Sequence, residues 1–176
     1  MRKTTLLAVC IALACPAPAV AQFDVGVAGG ASIPVGDLAD GVDVGWHAMG
    51  TVALTSLMQP MSLRLDGAYN SFGLSDEGGP DAGESVTVIS GTLNLAYRLP
   101  LTDSPFSPYV IAGLGGYNSD CTAEGCEGTT KFGWNAGAGT KLYFLGFRWF
   151  LEARYHSTDR GGADVSYVPI TLGVLF

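Results

Sequence analysis

The segment Val165-Ser-Tyr-Val-Pro-Ile-Thr-Leu-Gly-Val-Leu-Phe176 carries Val168, Ile170, Leu172, Val174 and Phe176 at every second position. Successive side chains of a strand point to opposite faces, so a period of two gathers these five on one apolar face that finishes on an aromatic carboxyl-terminus. Upstream, Phe147, Trp149, Leu151, Ala153 and Tyr155 alternate with Arg148, Phe150, Glu152, Arg154 and His156. Met61, Leu63, Leu65 and Tyr69 alternate in the same way with Ser62, Arg64, Asp66 and Asn70. The chain is therefore built from strands with one oily and one polar side.

Turn chemistry divides residues 22–176 into eight such segments: Phe23 to Ile33, Val44 to Thr55, Met61 to Phe72, Ser85 to Leu99, Tyr109 to Asn118, Lys131 to Phe144, Phe147 to Ser157, and Val165 to Phe176. In the sixth, Phe132, Trp134, Ala136, Ala138, Leu142 and Phe144 oppose Lys131, Asn135, Lys141 and Tyr143. In the fourth, Ile89, Leu93, Leu95, Tyr97 and Leu99 oppose Ser90, Thr92, Asn94 and Arg98, while Val86 and Val88 fall out of phase and mark a bulge or a loop extension. The first, second and fifth are too rich in Gly and Ala to assign faces. Long polar connections (34–43, 73–84, 119–130 and 158–164) take turns with generally shorter ones (56–60, 100–108 and 145–146). An even strand count with long and short connections alternating predicts an all-β, eight-stranded antiparallel up-and-down transmembrane β-barrel, with both termini in the periplasm. No linker or second domain interrupts it.

The amino-terminus is consistent with export. Met1-Arg2-Lys3 is a basic head, Leu6 to Ala14 is apolar but too short to span a bilayer, and Ala19-Val20-Ala21 has the small-x-small form of a cleavage site. Residues 1–21 are expected to be a signal peptide and residues 22–176 the barrel. Lipidation at Cys15 is a rival reading, but Ala12-Leu13-Ala14-Cys15 lacks the usual Leu three positions before Cys. Cys121 and Cys126 remain in the exported chain, where such a pair is expected to form a disulfide closing a small loop. Zinc would need further ligands, and His47 and His156 lack metal-like spacing; no metal or cofactor is expected.

Charge agrees with this placement. The formal net charge is −7, and losing Arg2 and Lys3 takes it to −9, so nucleic acid is not an expected partner. Asp37, Asp40, Asp43, Asp76, Glu77, Asp81, Glu84, Asp120, Glu124, Glu127, Asp159 and Asp164, twelve of the sixteen acids, fall in the four long connections, which should therefore face the cell exterior. A soluble barrel of lipocalin type would reverse the two faces, enclosing the apolar one. Three features favour lipid outside: aromatics near strand ends, the terminal Phe176, and polar-face charges of compensating sign. Arg64, Asp66, Arg98, Lys141, Arg148, Glu152 and Arg154, with Asp24, are expected to form a lumen ion-pair network, since an unpaired charge away from water is costly.

The leader, the opening Phe23 to Asp37, Pro108-Tyr-Val-Ile-Ala-Gly-Leu-Gly-Gly-Tyr117, Glu152-Ala-Arg-Tyr-His156 and the Val168 to Phe176 segment together resemble the small outer-membrane β-barrel family, the OmpA barrel domain and OmpX-like proteins. The closing strand resembles the segment by which such barrels are recognised and inserted. That resemblance implies an eight-stranded barrel in the bacterial outer membrane, insertion by the barrel assembly machinery, and contact with outer-membrane lipid and lipopolysaccharide. It implies no single activity. Eight strands enclose an interior just filled by side chains, which favours a closed lumen over an ion pathway. Lipid A deacylases use a His-x-Ser arrangement, and Tyr155-His156-Ser157-Thr158-Asp159 looks similar. However, His156 and Ser157 are consecutive and so point to opposite faces. His156 is read as a polar lumen or rim residue and His47, beside Trp46, as a rim residue, and no catalytic residue is assigned. Asp37, Asp40 and Asp43 are spaced by three, unlike an EF-hand loop. A solvated acidic surface, divalent-cation bridging, or an extracellular partner at the loops remain the alternatives.

Overall fold

The computed structural model describes residues 23–58, 60–73, 85–100, 105–121, 128–158 and 165–176. Eight antiparallel strands follow one another around a closed barrel: β1 (Phe23–Val35), β2 (Gly45–Met58), β3 (Met61–Gly73), β4 (Ser85–Arg98), β5 (Phe106–Cys121), β6 (Thr129–Phe144), β7 (Phe147–Thr158) and β8 (Val165–Leu175). Each strand pairs with its sequence neighbours, and β1 closes on β8 through a ladder running from Gly26 opposite Leu175 to Val35 opposite Ser166. Beyond that ladder Phe176 donates to the Val25 carbonyl at 2.7 Å. Closure leaves no edge strand, the condition for taking a sheet into lipid, where unpaired backbone groups cannot turn to water. Strands of 11–16 residues meet or exceed the nine to eleven or so that a tilted strand needs to cross the hydrocarbon layer. Both termini and the short connections share one end, called here the terminus end; the long connections share the other, the loop end.

The strands run further than amphipathicity alone indicates. β1 continues through Pro34 to Val35, β5 starts at Phe106 and reaches Cys121, and β6 begins at Thr129. Backbone pairing continues as long as a neighbour is present, whatever the side chains do, so polar residues such as Asn118 and Thr130 remain in the ladder. The first long connection holds a short 3₁₀ turn, Gly36–Asp40. The β2–β3 register slips between the Leu54–Leu63 and Met58–Met61 pairs. β6 and β7 join through Leu145-Gly146, both at positive φ (51° and 80°), as a primed two-residue hairpin requires.

The two faces separate as the alternation predicts. Val27, Val52, Leu65, Leu93, Leu114, Leu151 and Leu172 point outward and are exposed, in a band bordered by aromatic pairs. Trp46–Tyr69 and Trp134–Tyr155, each with centroids 5.5 Å apart, lie toward the loop end, and Phe147 meets Phe176 edge-on at the terminus end. In the Gly-rich strands, where alternation gave no answer, register does. Gly50, Gly67, Gly91 and Gly116 are direct cross-strand neighbours on the outward face with nothing near them. Gly113 and Gly137 point inward, where a methyl group would overlap Asn94 and the Ala153 carbonyl respectively. Glycine thus appears inside where the filling leaves no room for a side chain.

Val86 and Val88 require a correction. The β3–β4 and β4–β5 ladders pass through both without a bulge, and both follow the inward phase. Val88 is fully buried in a cluster with Val42, Phe72, Tyr117, Val165 and Tyr167, with Leu38 of the 3₁₀ turn packed against it. At this level the barrel is filled with apolar side chains, so the inward face of β4 changes from polar to oily towards the loop end.

Candidate functional site: a filled lumen

Four charges occupy the middle of the barrel. Arg64 on β3 and Glu152 on β7 face each other across the lumen, and the Arg64 guanidinium donates through Nη1 and Nη2 to the two Glu152 oxygens at 2.9 and 2.7 Å. Its Nε donates to Asp66 Oδ2 at 3.0 Å. Arg154 completes the square, its Nε 2.7 Å from Glu152 Oε1 and its Nη1 2.9 Å from Asp66 Oδ2. All four are buried, at 2–5% exposure. At that depth a single unmatched charge would cost several kcal/mol, and two cations against two anions leave none. The planar fork of arginine suits this arrangement, because one guanidinium can serve two carboxylates at once.

Uncharged groups add further hydrogen bonds to the cluster. Tyr109 donates its hydroxyl to Glu152 Oε2 at 2.7 Å, and Asn94 donates to Asp66 Oδ2 at 3.0 Å while accepting from Asn135 at 2.9 Å. The Phe150 ring lies 5.6 Å from the Arg64 guanidinium carbon. These polar partners were not singled out from sequence, although Asn94 and Asn135 fall on the polar phase of their strands.

Not every residue expected in the network belongs to it. Arg148 makes a separate two-pronged pair with Asp24 at 2.6 and 2.9 Å near the terminus end, where its own side chain is 43% exposed. Lys141 is half-buried with its ammonium 5.7 Å from the Tyr109 ring centroid. Arg98 is exposed at the last residue of β4, outside the central cluster. All three follow the inward phase, but a strand's periodicity specifies which way a residue points and not how high in the barrel it lies.

Toward the loop end a second polar layer surrounds the two histidines. Ser32 donates to Asn70 Oδ1 at 2.9 Å, so its oxygen is left to accept from His47 Nδ1 at 3.2 Å. That assigns the proton to Nδ1 and lets His47 Nε2 accept from Thr171 at 3.0 Å. His156 stacks on Tyr167 with centroids 5.0 Å apart and meets the Tyr117 hydroxyl through Nδ1 at 2.9 Å. Both histidines are buried, so His47 is a lumen residue and not a rim one. Ser157 points away from His156 and pairs with Ser166 on the other face, so the two do not form a nucleophile–base pair. Between this layer and the charge cluster lies a cavity lined by His47, Asp66, Arg154, His156, Tyr167 and Thr171, with about 10 Å³ open to the centre of a water molecule. That is room for about one water. No group of three or more metal-type ligands occurs among the described residues.

Several expectations lie outside the described residues: the leader 1–21, the Cys126 partner and the side chain of Cys121, and the acids Asp76, Glu77, Asp81, Glu84, Glu124, Glu127, Asp159 and Asp164. Asp37, Asp40, Asp43 and Asp120 are described, and all four are exposed at the loop end. Val168, Ile170, Leu172, Val174 and Phe176 share the outward face of the barrel's last segment.

An eight-stranded cylinder, oily outside and packed with its own polar and charged side chains within, defines a small membrane-spanning barrel. Residues 5–176 match the family model described as outer membrane protein beta-barrel domain, and the chain belongs to that family, which places it in the bacterial outer membrane. Among solved structures it is similar to Neisserial surface protein A (NspA), at 15% identity and TM-score 0.62 over 88% of this chain and 97% of that one. It is also similar to the N-terminal barrel domain of Pseudomonas aeruginosa OprF, at 18% identity and TM-score 0.53 over 89% and 99%. The attachment invasion locus protein Ail of Yersinia pestis, in complex with the heparin analogue sucrose octasulfate, aligns at 12% identity and TM-score 0.51 over 88% and 99%. At such identities the likeness is one of fold. No curated protein matches the sequence.

Proposed function

We propose that this protein is a non-catalytic scaffold of the outer membrane that displays acidic loops at the cell surface, with a lumen that does not conduct. The observation that carries this reading is the filled interior: a neutral four-charge cluster at mid-height and an apolar plug above it, two barriers in series. A packed ion cluster has no free charge to offer a passing ion, and in the plug only the Tyr117 and Tyr167 hydroxyls are polar, too few to replace an ion's hydration. The leader would be cleaved after Ala21, the Val168 to Phe176 segment would serve the assembly machinery as insertion signal, and the Cys121–Cys126 bridge would tie the third long loop. The outward band and aromatic girdles suit lipid, including lipopolysaccharide. Twelve acids in the long loops point to a cationic or cation-bridged extracellular partner, unlike the sulfated ligand seen with Ail. The divergence of His156 and Ser157 argues against the lipid A-modifying alternative.

In planar bilayers the protein is expected to insert without ohmic current, and steady conductance would exclude the closed-lumen reading. Protease added to intact cells should cleave at the long loops, near Glu77 or Glu124. Protection there, with cleavage at the short connections instead, would reverse the orientation.

A further inference from the structure

The hairpin tip joining β6 and β7 reads Tyr143-Phe-Leu-Gly-Phe147, an apolar sequence where a water-facing turn ordinarily carries polar residues. Leu145 is 75% exposed and Tyr143 74%, with Phe144, Phe147 and the neighbouring Phe176 also open. Leu145 is the one non-glycine residue at positive φ among those described, in a conformation that asparagine, aspartate or glycine adopts with less strain. A branched side chain is therefore held in a strained turn and points into no packed interior, so the fold itself gives no reason for it. A strained outlier that packing does not explain is a pointer to an outside partner.

We infer that this tip is immersed in membrane phospholipid, at the boundary of headgroups and acyl chains, and does not stand in water. Two features favour lipid as the occupant. The patch is continuous with the outward aromatic belt through the Phe147–Phe176 contact and through Trp149, whose indole N–H donates to the Phe144 carbonyl at 3.2 Å. The charge at this end also suits phosphate: among the described residues Arg98, Lys141 and Arg148 stand against Asp24 alone, whereas Asp37, Asp40, Asp43 and Asp120 lie at the loop end. An interfacial turn keeps aromatic and leucine side chains in the oily layer and basic groups at headgroup level. The barrel is then seated deeper on the β6–β7 side than its last ladder pair alone indicates.

The test uses the protein purified from outer membranes in a cysteine-free background and reconstituted in phosphatidylcholine–phosphatidylglycerol vesicles. Spin labels are placed singly through Leu145→Cys, through Leu93→Cys in the lipid belt, and through Asp40→Cys at the loop end. Collision with oxygen, which favours lipid, is expected to exceed collision with a water-soluble nickel chelate several-fold more at 145 than at 40, approaching the ratio at 93. A ratio at 145 equal to that at 40, with 93 still reading lipid, overturns the inference and leaves the barrel intact; water-like values at 93 as well would overturn the membrane barrel itself. Leu145→Asn supplies an independent readout. Asparagine suits the turn in water, so an unchanged or raised urea midpoint of the vesicle-embedded protein also overturns the inference, and a lowered midpoint supports it.

Discussion

At the scale of single residues, Glu152 joins three lumen partners: it accepts from Arg64 and Tyr109 and forms an ion pair with Arg154. Glu152→Ala would strand two buried guanidiniums, and breaking a buried pair in this way costs about 3–5 kcal/mol. Urea unfolding of the detergent-folded protein should register that loss, and the double variant Glu152→Leu with Arg154→Met should recover much of it by removing a charge of each sign. Glycine offers a contrast in which the same substitution gives opposite results. Gly137→Ala forces a methyl group into the Ala153 carbonyl and should sharply lower the refolded yield on a heat-modifiability gel. Gly91→Ala meets open space on the lipid side and should be neutral or stabilising by up to ~1 kcal/mol. The direction of Arg64, Asp66, Glu152 and Arg154 was legible in the alternation of β3 and β7. Their mutual contact was not, because it depends on the relative stagger of strands 88 positions apart in sequence.

At the scale of elements, β3 and β7 announce themselves because large apolar residues alternate with charged and polar ones, and β8 because its apolar residues recur at every second position. β1, β2 and β5 do not, since Gly and Ala contribute little contrast between faces, and their phase follows only from pairing with better-marked neighbours. In β4 the reading of Val86 and Val88 as out of phase rests on a uniformly polar interior. Val86 and Val88 contradict that assumption because the interior itself changes character near the loop end. β8 carries a prediction of its own. Phe176 contributes one edge-on aromatic contact and two backbone hydrogen bonds with Val25. Phe176→Ala keeps the backbone bonds and should lower the stability of the folded barrel by only ~1 kcal/mol. If the terminal aromatic acts as the insertion signal, the amount of heat-modifiable barrel recovered from outer membranes should fall far more than that loss explains. Equal deficits in membranes and in refolding would assign Phe176 a purely structural role.

At the scale of the whole molecule, the plug and the charge cluster are stacked barriers, and each should hold without the other. Phe72→Ala with Val88→Ser thins the upper barrier, and Glu152→Gln with Arg64→Gln removes charge from the lower one. Each pair alone is expected to leave planar bilayers silent, and only the four substitutions together should give measurable current. Current from the upper pair alone would show that the central cluster does not seal. The overall cylinder was legible from strand count and alternating connection lengths, whereas the layering of its filling emerges only once eight strands are set side by side. The β1–β8 seam has one more implication. Since Gly26 to Val35 lie against Ser166 to Leu175 in an ordinary ladder, the wall has no privileged starting stave. A rearranged chain that joins Phe176 to Phe23 through a short linker and opens within 74–84 should therefore still close the same hoop of strands when refolded in detergent, where no terminal insertion signal is needed.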